Sequence, residues 1–228
     1  MFVANSAARR FVVLISGRGS NMQAIVRALR AQGASAQMCA VIASSPDAPG
    51  LAWAREQGIE ATLVPHRDYA SREEFDQALA QAIEAYEPHY VLLAGFMRVL
   101  TDEFVRRFEG RLINIHPSLL PLFPGLNTHG QALEAGVQWH GCTVHFVTPV
   151  LDVGPIIAQG IVPVLAGDTP QTLAERLLHI EHRVYATVAG WLAQGRVTLD
   201  DTQRVQVQGV RTRSYLFTPE GAQEEHRL

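Results

Sequence analysis

FVVLISGRGSNMQAI, Phe11 to Ile25, points to the architecture of the whole chain. Its opening run, Phe11 to Ser16, is apolar without alternation. A strand with one wet face would alternate, so this one is expected to be buried on both faces, as in a parallel sheet covered by helices. Gly17-Arg18-Gly19 then turns the chain, and Asn21 to about Ala31 carries apolar residues at helical spacing. Strand, glycine turn and helix in that order leave free backbone N–H groups and the positive end of a helix dipole at the sheet edge, which favours an anion. A tight turn with no ligand is the plain alternative. The stretch departs from a dinucleotide fingerprint, because Met22 occupies the place of the third glycine and Ser44 and Ser45, not an acid, follow the next strand.

Outward from this unit the pattern repeats. Strands are expected at Met38 to Ala43, Ala61 to Val64, Tyr90 to Ala94 and Leu112 to Ile115, with helices near Leu51 to Gln57, Ser71 to Tyr86 and Asp102 to Phe108. Ser71-Arg-Glu-Glu74 has the form of a capping box. HPSLLPLFPG, from His116, holds three prolines within eight residues and reads as a structured loop. Two more strands, Thr143 to Val147 and Ile156 to Val164, precede a long helix from Pro170 to about Gln194, and RVTLDD with RVQVQGV suggests an antiparallel hairpin. The expected fold is therefore α/β: a single-domain, Rossmann-like, mostly parallel sheet with flanking helices and a small C-terminal antiparallel extension. Its divisions are an extension at residues 1–10, the main domain at 11–195, and a hairpin and fraying tail at 196–228.

Composition excludes several chemistries. All 19 basic residues of the 228-residue chain are arginine, so no Schiff-base or Walker lysine exists. A net charge of -3 gives no reason to expect nucleic acid as partner. Cys39 and Cys142 lie in no metal-ligand spacing and are expected to be buried small hydrophobes of a reducing, cytoplasmic compartment. No apolar segment approaches the ~20 residues that span a membrane.

Asn114-Ile115-His116 falls at the carboxyl end of a buried strand, where open α/β sheets place ligands. Residues i and i+2 of a strand share a side, so the amide and the imidazole project together, a pair suited to holding an oxyanion and moving protons. A structural Asn and His closing a loop is the alternative. Asp152, before Gly154-Pro155, reads from the residues alone as a turn. His129, His140 and His145 match no common zinc spacing, and no metal is expected.

The segments 13–25, VLLAGFMRVL at 91–100, GRLINIHPSLLP at 110–121, THGQAL at 128–133, TVHFVTPVLDVGPII at 143–157, AGDT at 166–169 and Glu181-His182 together resemble the glycinamide ribonucleotide formyltransferase family. The resemblance implies formyl transfer from 10-formyltetrahydrofolate, as co-substrate, to the amine of a glycinamide ribonucleotide, in purine synthesis. It implies Asn114, His116 and Asp152 as the catalytic trio, Gly19, Ser20 and Asn21 as the phosphate turn, and Glu181 as a ribose contact. It also implies Arg72, Met97, Arg98, Val99, Leu100 and Asn114 around the folate. Leu178, Gly130 and Leu122 depart from polar or basic residues of some members. A related deformylase, in which water replaces the amine, carries an N-terminal regulatory domain that the residues before Phe11 are not expected to supply. That hydrolase and a non-catalytic folate or nucleotide binding module are the alternatives. Small-molecule partners, no membrane, and a monomer or homodimer complete the expectation.

Overall fold

The computed structural model describes residues 8–216. The expected C-terminal fraying beyond that point, and most of the N-terminal extension, lie outside the described residues. The founding strand, β1 (Arg9–Ile15), is followed by α1 (Ser20–Ala31), β2 (Ala36–Ala43), α2 (Pro49–Glu56), β3 (Glu60–Leu63), α3 (Arg72–Glu84), β4 (Tyr90–Leu93), α4 (Asp102–Arg107) and β5 (Leu112–His116). Then come α5 (Thr128–Glu134), β6 (Trp139–Phe146), β7 (Ile156–Pro163), α6 (Pro170–Ala193), β8 (Val197–Leu199), β9 (Val205–Val207) and β10 (Ser214–Leu216).

Eight strands form one sheet in the order β10-β7-β6-β5-β4-β1-β2-β3. All pair in parallel except β6, which runs antiparallel to both β5 and β7, so the sheet is mostly parallel as expected. Alternation along β1 explains its unbroken apolar run. Phe11, Val13 and Ile15 face a core built with α1, α2 and α6, while Val12 and Leu14 face a second core built with α3 and α4. Order reverses at β1, whose neighbours are β4 and β2, so the crevice of an open α/β sheet falls beyond the carboxyl ends of β1 and β4. The hairpin expected from the two alternating segments is the β8–β9 pair.

Several expectations need correction. β6 begins at Trp139, four residues before the expected start, and α5 and β10 were not expected at all. β10 escapes notice because its three residues are a strand only by virtue of the free edge that β7 offers. At α3 the Ser71 hydroxyl accepts from Glu74 N (3.1 Å), but Glu74 reaches back to Ala70 N (3.1 Å) and not to Ser71, so the box is displaced by one residue. A reciprocal box does open α6, between Thr169 and Thr172. Cys142 is fully buried as expected, whereas Cys39 is only half-buried. No helix among the described residues is long and apolar enough to cross a membrane.

Candidate functional site

The carboxyl edge of the sheet gathers the candidate residues. Gly19, at the N-cap of α1, has φ 67°, and a Cβ there would come within 2.9 Å of Met22 Cε, so this turn needs glycine. Gly19 offers α1 no side-chain cap and no acid lies in its first turn, which suits the N–H groups and dipole to an anion. Asn21, on that turn, donates through Nδ2 to Glu181 Oε2 of α6 at 2.8 Å, joining two candidate residues that are 160 positions apart. Burial raises the Glu181 pKa and the bond from Asn21 opposes the rise. Asn21 Oδ1 is buried with no partner among the described residues, so an acceptor is on hand for a ligand hydroxyl.

Asn114 and His116 end β5 two residues apart, on one side of the pleat, beside β6. The cross-strand partner of Asn114 is His145, and Asn114 Nδ2 lies 3.4 Å from His145 Nε2. His145 Nδ1 faces Phe146 O at 2.9 Å, so the proton sits on Nδ1 and Nε2 is left to accept. Burial lowers the His145 pKa and keeps this neutral tautomer. The Asn114 amide is thus oriented by one of its N–H groups, while the other has no partner among the described residues. The sequence raises His145 only as a metal ligand, because its contact with Asn114 exists only once β5 and β6 pair.

His116 is buried, with Nε2 3.0 Å from Phe123 O and Nδ1 3.5 Å from Asp152 Oδ2. Asp152 belongs to the loop between β6 and β7 and adopts φ 56°. Its Oδ2 also accepts from Gly125 N at 2.9 Å, so one carboxylate oxygen ties together the proline-rich loop and the catalytic candidate. That loop is bolted to the sheet by Thr143, whose Oγ1 donates to Ser118 O (2.7 Å) and accepts from Leu120 N (3.0 Å) and Gln159 Nε2 (3.0 Å). The Asp152 loop closes against β6 because Gly154 has no side chain; a Cβ there would be 1.8 Å from Phe146 O.

The remaining candidates lie apart from the trio. Arg72 is the exposed first residue of α3, and Met97 to Leu100 form the connection from β4 to α4, with Met97 and Val99 exposed. Neither group shares a hydrogen bond with Asn114, His116 or Asp152 among the described residues. His129 Nδ1 and His140 Nε2 meet at 3.1 Å beneath the proline-rich loop, where burial drives the His140 pKa down to about 4. Among the described residues no three His, Cys, Asp or Glu side chains are grouped to hold a metal ion.

Comparison with known proteins places the chain in a family. The sequence profile of the formyl transferase family matches residues 9–189. The phosphoribosylglycinamide formyltransferase of Escherichia coli K12 is 47% identical over 204 residues, covering 87% of this chain and 96% of that protein. The crystal structure of glycinamide ribonucleotide transformylase 1 from Symbiobacterium toebii superposes with a TM-score of 0.85 at 44% identity, covering 91% of this chain and 97% of that one. At greater distance, a formyltetrahydrofolate deformylase from Pseudomonas putida superposes with a TM-score of 0.79 at 30% identity, covering 90% of this chain and 72% of that one.

Proposed function

The chain belongs to the formyl transferase family, and from that premise we propose how its residues divide the work of one reaction. The reaction moves the formyl group of 10-formyltetrahydrofolate to the amine of 5'-phosphoribosylglycinamide, giving the formylated ribonucleotide and tetrahydrofolate in purine synthesis. Gly19, Ser20 and Asn21 hold the phosphate on the first turn of α1, and Glu181, held by Asn21, takes the ribose hydroxyls. Arg72 and the main chain of Met97, Arg98, Val99 and Leu100 receive the folate. The two reactants then meet beside Asn114 and His116, and alignment replaces a bimolecular encounter.

The neutral amine attacks the formyl carbon, and the new C–N bond converts the carbonyl into an oxyanion. The free N–H of Asn114 and His116 Nε2 hold that oxygen, which takes the place that Phe123 O occupies on the imidazole in the structure. The carboxylate of Asp152, on Nδ1, fixes the ring and stabilises the imidazolium. A proton passes from the attached amine to the departing folate nitrogen, the C–N bond to folate breaks, and the carbonyl re-forms.

The observation that carries this reading is that Asn114 and His116 end one strand two residues apart, on the same side of the pleat, while the Asp152 carboxylate reaches His116 Nδ1 from a separate segment. Carbon-13 in the donor's formyl group tests it: the label is expected on the glycinamide nitrogen. Label recovered as formate would assign the deformylase reaction in its place.

A further inference from the structure

β1 keeps its grip on the chain that leaves β4 after the strands end. Ala94 N donates to Leu14 O (2.9 Å), Ser16 N donates to Gly95 O (3.1 Å), and the next rung comes from a side chain, with Met97 N donating to Ser16 Oγ at 2.9 Å. The main chain of β1 cannot supply that rung. At Gly17 it leaves the sheet for the phosphate turn, where Gly17 O accepts from Gly50 N. Ser16 Oγ is also 2.9 Å from the hydroxyl of Ser44, which is fully buried just beyond β2. A hydroxyl carries one proton and two acceptor sites, so Ser16 can hold Met97 while sharing a proton with Ser44.

The segment held in this way has little packing of its own before its last residue: Met97 and Val99 are 72% and 63% exposed, and Leu100 packs against the core built with α3 and α4. Its far end is fixed separately, where Thr101 N donates to Asp76 Oδ2 at 2.6 Å. Two hydrogen bonds at its ends, with the packing of Leu100, therefore set the course of residues 97–100, and at the Met97 end the hydroxyl acts without a buried side chain beside it. One of them starts from the residue whose main chain opens the phosphate turn.

We propose that Ser16 is a positioning residue for the formyl donor: its hydroxyl fixes the main chain of Met97, and with it the segment that receives the folate. The inference rests on the assignment of residues 97–100 to the folate made above. Ser16 reaches the phosphate turn through its main chain alone, so loss of the hydroxyl acts on the donor side.

Steady-state kinetics of the full chain test this. Ser16→Ala raises KM for 10-formyltetrahydrofolate about 3- to 10-fold, the effect of one net hydrogen bond. KM for the ribonucleotide and kcat stay within about twofold, the split that separates donor binding from chemistry. Ser16→Thr, which keeps the hydroxyl, restores the donor KM. Amide hydrogen exchange at Met97 is faster in Ser16→Ala, while Val13 and Leu14 exchange as in wild type. Should Ser16→Ala fail to fold, Ser44→Ala carries the test: the orienting partner is gone, so the donor KM and the exchange at Met97 both rise by a smaller factor. An equal or larger rise in the ribonucleotide KM, an unchanged Met97 amide, or a threonine variant that does not recover would each overturn the proposal. A wild-type enzyme that forms no tetrahydrofolate from the two substrates would overturn the assigned reaction instead, and exchange at Met97 would still report on the hydroxyl contact.

Discussion

Asp152 Oδ2 sits 3.5 Å from His116 Nδ1 and accepts from Gly125 N at 2.9 Å, so one buried oxygen orients the imidazole and anchors the loop that covers it. Asp152→Asn keeps the volume of the side chain but removes the charge that stabilises the imidazolium. The expected result is a fall in kcat of about 10² to 10⁴, with KM for either substrate changed by only a few fold, read from initial rates.

Gly154 decides whether that carboxylate arrives at all. In Gly154→Ala the added methyl would stand 1.8 Å from Phe146 O, so the loop between β6 and β7 must move outward and carry Asp152 with it. Displacing a catalytic group by about 1 Å costs on the order of 10² in rate. kcat should fall by that factor while circular dichroism reports an unchanged fold.

Asn21 and Glu181 join α1 to α6 at the end of the site proposed for the ribonucleotide. Asn21→Ala leaves a buried carboxyl without its donor, at a cost of about 1–3 kcal/mol. The melting temperature should drop, and KM should rise for the ribonucleotide and hold steady for the folate.

His140, whose pKa is pushed down to about 4 by burial, gives stability a defined pH dependence. Because the folded-state pKa lies below the unfolded one, the neutral ring contributes fully above the unfolded value of about 6.5, and the contribution is lost as pH falls toward 4. The denaturant midpoint should decline across that window by an amount on the order of a few kcal/mol of stability. In His140→Gln, which cannot gain a proton, the decline should be shallower.

What the sequence made legible follows from how local each signal is. The apolar run of β1 and the glycine turn of α1 are contained within fifteen residues, and both appear where periodicity puts them. Asn114 and His116 are two positions apart on one strand, so their shared side could be argued from the pleat. Asp152 gave only a turn on its own residues, because its meaning depends on a loop 27 positions upstream that supplies the Gly125 N–H. His145 touches Asn114 across an antiparallel pair from 31 positions away in sequence, which no local pattern encodes. α5 spans only seven residues and contains Gly130, which breaks its helical signal; the bare backbone of that glycine leaves room for the side chain of Asn127, 2.6 Å from where a Cβ would sit.

His116 is the residue proposed to serve formyl transfer to an amine. The most direct measurement is tetrahydrofolate release from 10-formyltetrahydrofolate, with and without 5'-phosphoribosylglycinamide, for wild type and His116→Ala. Release that requires the ribonucleotide, and that falls by about 10² to 10⁴ in the variant, is the predicted result. Release of equal rate without the ribonucleotide, or a variant that keeps the wild-type rate, would contradict it.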